Sequence, residues 1–204
     1  MKNGIIVLAA LIIFPFFGFN QSIDNLDYIS SFNDGVAAIK KDNQWAFINK
    51  DGDIVINFRN DLVSRKSHDG NYPIFQNERC LIVEERNGIS YFGYMDTTGE
   101  VVIKPQFLNA THFSNNIATV LKLVREVVGK NEVLGKNVIN YSYFEVTIDT
   151  AGEIKRYLTQ KSVNVILDKK FLHEPPRITS KLISDNLYAF LNKNNKWSIK
   201  KIIE

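Results

Sequence analysis

Four segments of this chain can be laid over one another: Phe32-Asn-Asp-Gly-Val-Ala-Ala-Ile39, Phe75-Gln-Asn-Glu-Arg-Cys-Leu-Ile82, Phe113-Ser-Asn-Asn-Ile-Ala-Thr-Val120 and Ile183-Ser-Asp-Asn-Leu-Tyr-Ala-Phe190. Each opens with a large apolar residue, continues with polar or small residues, and enters a run suited to a strand. The first three starts are spaced by roughly forty residues, the range of repeat architectures. A repeat constrains the fold strongly. One unit of this size cannot bury its apolar faces alone, so it must stack on its neighbours.

The pattern extends beyond each start. Unit one continues to Trp45-Ala46-Phe47-Ile48-Asn49, then Lys50-Asp51-Gly52 and Ile54-Val55-Ile56. Unit two continues to Phe92-Gly93-Tyr94-Met95-Asp96, then Thr97-Thr98-Gly99 and Val101-Val102-Ile103-Lys104-Pro105-Gln106-Phe107. Unit three reaches Val146-Thr147-Ile148-Asp149, then Thr150-Ala151-Gly152, and unit four ends in Lys196-Trp197-Ser198-Ile199-Lys200. Each unit reads strand, polar turn, strand. In the first three a glycine closes the next turn, as a left-handed turn residue without a Cβ would. Gly52, Gly99 and Gly152 are therefore expected at one shared turn position.

Unit two resembles the WG repeat, a bacterial β-repeat with an opening Phe, a Trp-Gly-Tyr-Ile-Asp strand, a Gly turn and a Val-Ile-x-Pro-x-aromatic strand. Phe92 to Asp96 and Val102 to Phe107 carry the likeness; Trp45-Ala46 and Trp197-Ser198 keep only the Trp, and unit three has Glu145-Val146 there. The resemblance runs over about residues 32 to 201. It implies a β-rich array, often exported, with no catalytic residues to carry over.

The expected fold is all-β: a curved array of antiparallel β-hairpin repeats with one elongated hairpin insertion. A partly closed barrel is the alternative, and a propeller fits less well because blades need four strands. The repeat domain occupies residues 21–204, with units starting near 32, 75, 113 and 183. The insertion lies between Val120 and Glu145. Val120, Leu123, Val124, Val127 and Val128 have helical spacing, but their β-branching favours a long hairpin with its tip near Gly129 to Asn137. Asp61 to Tyr72 reads as a loop. Between Leu158 and Lys181, Val163 to Leu167 reads as a lone strand, and Ile178 to Asp185 as a short helix or connector. Trp45 and Trp197 are expected to be buried at equivalent positions, and unit four to end without a third strand.

Lys2 followed by the apolar run Ile5 to Phe19 reads as an export signal over residues 1–20, too short for a membrane span. An uncleaved anchor is the other reading. The chain has 204 residues, 45% of them hydrophobic, including fourteen Phe and eight Tyr, ample for a packed β domain. Its net charge of +3 argues against a binder driven by phosphate neutralisation. Cys80 is the only cysteine, which excludes an intrachain disulfide, and its alignment with Ala37 and Ala118 marks it as a small buried residue.

No motif carries chemistry. Gly129 to Lys136 has one residue too many between its glycines for a phosphate loop, and Asn137 stands where Ser or Thr would hold a metal. His68, His112 and His173 lie in separate segments without ligand spacing. No catalytic, cofactor-binding or metal-ligating residue is assigned, and the sequence names no binding residue. The expectation is an exported, periplasmic or secreted, bacterial protein without catalytic activity. It would be a binding or scaffold module for a protein or a cell-envelope polymer, with no nucleic-acid partner and membrane contact only through an uncleaved N-terminus. The alternatives are an envelope hydrolase whose site is assembled across units and a polyanion binder using Lys40-Lys41, Arg65-Lys66, Lys169-Lys170 and Lys200-Lys201.

Overall fold

The computed structural model describes residues 22–68 and 70–201, and all of their regular structure is β. The segment read as an export signal lies outside them. Unit one is a four-stranded antiparallel sheet of β1 (Tyr28–Asn33), β2 (Val36–Lys41), β3 (Gln44–Ile48) and β4 (Ile54–Arg59). A small hairpin comes next, β5 (Arg65–Ser67) and β6 (Gly70–Tyr72). Asp61 to Tyr72 is thus not a plain loop: Leu62 bridges Ile82, and Leu62 and Tyr72 enter the core.

Unit two comprises β7 (Cys80–Arg86), β8 (Ile89–Met95) and β9 (Val101–Ala110); unit three comprises β10 (Ile117–Asn131), β11 (Lys136–Asp149) and β12 (Ile154–Tyr157). β9 pairs with β8 and, further along, with β10, so units two and three share one sheet. β10 and β11 form the expected long hairpin, with its tip at residues 132–135 and the side chains of Val133 and Leu134 in solvent. β13 (Val163–Asn164) lies on β11. Unit four is β14 (Ser180–Ser184), β15 (Leu187–Leu191) and β16 (Trp197–Lys201), a three-stranded sheet. The expectation of a helix or connector over Ile178 to Asp185 gives way to a strand.

Two turns recur and fix the register. The first comes after the opening Phe: Asp34-Gly35, Asn77-Glu78 and Asn115-Asn116 all have positive φ, as a tight two-residue hairpin turn requires. These turns are laddered from unit to unit. The Glu78 amide donates to Asp34 Oδ2 at 2.8 Å, and the Asn116 amide to Asn77 Oδ1 at 3.0 Å. The second turn comes after the aromatic strand. In it Asn49, Asp96 and Asp149 each accept two downstream backbone amides through their side chains, and the closing glycines Gly52, Gly99 and Gly152 have φ of +87°, +89° and +87°. The sequence expectation for these three glycines holds.

The same second turn appears in unit four at Asn192, which accepts the amides of Asn194 and Lys196, with Asn195 (φ +56°) in the glycine's place. This corrects the register of unit four by one strand. Tyr188-Ala189-Phe190-Leu191-Asn192 is the counterpart of Trp45-Ala46-Phe47-Ile48-Asn49, so β14, β15 and β16 match β2, β3 and β4. Unit four therefore has its third strand. Trp197 falls opposite Ile54 rather than Trp45, and is 53% exposed beneath the Lys181 ammonium.

Strand alternation sends one set of side chains forward and the other back. Ala38, Trp45, Phe47 and Ile56 of unit one meet Phe75, Cys80, Ile82 and Met95 of unit two. Leu81, Phe92, Tyr94 and Ile103 of unit two meet Phe113, Ala118, Val120, Val146 and Ile148 of unit three. At both junctions the opening Phe of the later unit packs edge-on against a ring of the earlier one. Phe75 lies 4.8 Å from Phe47, and Phe113 lies 4.7 Å from Tyr94. Such pairs add about 0.5–1.5 kcal/mol beyond the burial itself. Phe32, with no described unit before it, is 47% exposed.

The small residue after the aromatic has a local cause. Opposite Gly93, β9 bulges by two residues: Phe92 pairs with Phe107 and Tyr94 with Ile103. A Cβ on Gly93 would run into the Ile103 carbonyl oxygen and lie 2.6 Å from the Pro105 nitrogen. Opposite Ala46 the bulge on β4 is one residue, with Trp45 paired to Arg59 and Phe47 to Ile56, and a methyl is accommodated. Opposite Val146 the bulge is gone and a larger side chain fits.

Candidate functional site

The third junction differs in chemistry from the first two. The forward face of unit three carries Thr119, Glu145 and Thr147 where unit two has Leu81, Phe92 and Tyr94, and all three are buried. Counting back from Asn192 as from Asn49 puts Pro175-Pro176 where Phe32-Asn33 stand, so unit four brings no opening aromatic. The chain arrives extended, and Thr179 turns onto Glu145. Its amide and hydroxyl donate to Glu145 Oε1 at 2.9 and 2.6 Å. Ser180 is buried beside them in sequence.

Among the described residues, the buried side-chain atoms without a hydrogen-bond partner are His112 Nδ1, Glu145 Oε2 and Thr147 Oγ1. All belong to unit three or the residue just before its opening Phe. Buried polar atoms are ordinarily paired with protein or water, and leaving one unpaired costs about 1–3 kcal/mol. Their concentration here marks the junction as unfinished. Beside it lies a cleft of about 350 Å³. One wall is Thr111, His112, Asn115 and Thr119; the other is the run Lys181 to Asp185. Burial, and then the charge of Arg65, push His112 down to about 4, so its imidazole is neutral at physiological pH. It therefore offers one donor and one acceptor nitrogen.

The ladder of turns also stops at this cleft. Asp34 and Asn77 accept the next unit's turn amide, whereas no group donates to Asn115 among the described residues. The cleft can therefore accept a backbone amide at Asn115 and exchange hydrogen bonds with His112 and the hydroxyls around it.

Residues singled out by sequence do not gather here, apart from His112. Cys80 is enclosed in the first junction, where burial pushes its thiol up out of the reactive range. No group of three or more His, Cys, Asp or Glu is placed to hold a metal among the described residues. Two members of the basic pairs pack on local rings, Lys40 over Trp45 and Lys200 over Phe190. The sequence signal for the junction is Glu145-Val146-Thr147, a polar replacement at the positions where other units place rings.

The sequence profile of the WG containing repeat matches residues 25–45 and 92–122. The second match runs from the Phe92-Gly93 strand through the bulged β9 into β10, the same elements that build the second junction. Two stretches of the chain thus carry the WG containing repeat. No curated protein and no solved structure matches it significantly. Within the array, the third junction departs from the pattern of the first two in both its sequence and its packing.

Proposed function

We propose that this WG-repeat chain is an exported, non-catalytic binding module for a protein partner in a bacterial cell envelope, and that it binds at the cleft between units three and four. The observation that carries the reading is the cleft itself, lined by His112, Asn115 and Thr119 and by Lys181 to Asp185, beside a junction whose buried Glu145 and Thr147 keep unpartnered oxygens. Units one to three form a continuous apolar stack, which supports a rigid scaffold role, and rigid scaffolds place binding groups at their edges. The other reading, an envelope hydrolase, finds one carboxylate in the cleft wall, Asp185, whereas glycoside hydrolysis uses a pair. Export rests on the apolar run Ile5 to Phe19.

The test is capture of an envelope protein by tagged chain beginning at residue 22, in wild-type form and as His112→Phe and Asn115→Ala. The reading expects a captured protein that both variants lose while their melting temperatures hold. Capture unchanged in both variants would move the binding surface elsewhere. Mature protein beginning near residues 21–23 supports export, and exclusively cytoplasmic protein retaining Met1 would contradict it.

A further inference from the structure

The repeat itself shows what the cleft lacks. In units one to three, the strand equivalent to β14 has a hydrogen-bonded neighbour on each edge. β2 is covered by β1 (Ile29 opposite Ile39, Phe32 opposite Ala37). β7 is covered by the chain leaving β4: the Val63 amide donates to the Leu81 carbonyl at 3.0 Å, and the Val83 amide to the Asp61 carbonyl at 2.9 Å. β10 is covered by the end of β9, where Ala110 pairs with Val120 and the Thr111 amide donates to the Thr119 carbonyl at 2.9 Å. Units one and three even share a detail, with Ser30 Oγ accepting the Ala38 amide and Thr111 Oγ1 the Thr119 amide.

The chain leaving β12 does not do this for unit four. The Leu158 amide turns back to the Glu145 carbonyl at 2.8 Å, and Thr159 Oγ1 accepts the Glu145 amide. β14 pairs with β15 on one side and with no described strand on the other. In the β14–β15 pair the Leu191 amide donates to the Thr179 carbonyl, so Lys181 opposite Ala189 is the next bonded pair. Leu182 then points its amide and carbonyl away from β15. The same residues, Lys181 to Asp185, form one wall of the cleft. Arg156 closes one end of this edge by donating to the Asp185 carbonyl.

We infer that the cleft takes an extended peptide segment of a partner protein, which adds to the open edge of β14 as the strand unit four lacks. This rests on the cleft being the binding surface. Backbone pairing to Leu182 supplies affinity, as in other strand-addition complexes, and the side chains that alternate toward the cleft supply specificity. Those facing unit three meet Thr119, His112 and Asn115. The segment this wall selects therefore carries small polar residues, Ser, Thr or Asn, at every second position. The Asn115 carboxamide accepts an amide of the incoming chain, as Asp34 and Asn77 do within the array. An unpaired edge is otherwise a liability that proteins cover or charge.

The experiment pans a displayed library of random nine-residue peptides against the full chain and measures the selected peptides as synthetic probes. Strand addition predicts that N-methylation of one alternate set of peptide amides weakens binding at least about tenfold while the other set is tolerated, because only one set faces the edge. Leu182→Pro removes the outward amide, which an edge strand tolerates, and should weaken the same peptides by a similar factor with the circular dichroism unchanged, whereas Leu182→Ala, which loses the half-buried side chain and keeps the amide, should weaken them less. Amides of the bound peptide that face the edge should become protected from hydrogen exchange. Peptides that bind with equal affinity after either N-methylation, or no selected peptide at all, would overturn the inference. If binding instead falls with His112→Phe and Asn115→Ala but ignores N-methylation, the cleft remains the binding surface and strand addition is wrong.

Discussion

At the junction between units two and three, Tyr94 meets Phe113 edge-on, 4.7 Å between ring centroids, inside an apolar cluster. At the next junction the position of Tyr94 is held by Thr147, that of Phe92 by Glu145, and that of Phe113 by a proline. Both places keep the side-chain-capped turn that closes the strand, whereas the pairing that covers β10 has no counterpart on β14 among the described residues. The contrast teaches that in this array the hydrogen-bonded turns specify the repeat, while the side chains between sheets decide whether a junction is finished. An apolar junction closes on itself. The polar one leaves buried groups seeking partners, an open strand edge and a cleft.

The comparison breaks most visibly if the aromatic pair is removed. Phe113→Ala should cost about 3–5 kcal/mol in urea melts, as should Phe75→Ala at the first junction. Losses under about 1 kcal/mol would mean that these junctions do not carry the stability assigned to them. Gly93→Ala comes next. Its methyl would run into the Ile103 and Pro105 backbone, so a loss of about 1–3 kcal/mol is expected, whereas Ala46→Gly, opposite the smaller bulge, should lose less than about 1 kcal/mol.

At the polar junction the signature is a pH dependence. His112 titrates at about 4 when folded and near 6.5 when unfolded, so between those values the unfolded chain holds more protons. Stability is then complete above about pH 6.5 and declines as pH falls toward 4, by about 1–2 kcal/mol once solvent screening is allowed for. His112→Gln should flatten that part of the profile, and an unchanged slope would contradict the burial assigned to the imidazole. The smallest effect has the opposite sign. Thr147→Val removes an unpartnered buried hydroxyl at nearly constant shape, so stability should stay level or rise by up to about 1 kcal/mol. A loss above about 1 kcal/mol would show that the hydroxyl is paired after all.

Much of this is legible in the sequence, because the elements that repeat are turn residues with fixed conformational demands. Asp34-Gly35, Gly52, Gly99 and Gly152 can be read one by one, and the β-branched run after Val120 outweighs its helical spacing. Unit four misleads for a physical reason. The scarcity of tryptophan invites an alignment of Trp197 with Trp45, yet the informative string is Tyr188-Ala-Phe-Leu-Asn-Lys193, which keeps the strand and cap of Trp45-Ala-Phe-Ile-Asn-Lys50. Asn195 replaces the turn glycine there, as Asn tolerates positive φ. The cleft is not legible. It arises because the strand after β12, β13, pairs with β11 and leaves β14 uncovered among the described residues, and an absent pairing leaves no motif. Glu145 and Thr147 hint at it, but their burial depends on the path of residues 158–180, which carry no repeat pattern.

Native-state hydrogen exchange on the full chain tests the central claim most directly. If apolar junctions join units one to three into one block and the polar junction joins unit four more weakly, amides of β15 should exchange through a partial opening. Its free energy should lie well below that of β8 and β11, which should exchange only with global unfolding. A single free energy shared by β8, β11 and β15 would contradict the account, because the polar junction would then be as tightly closed as the aromatic ones.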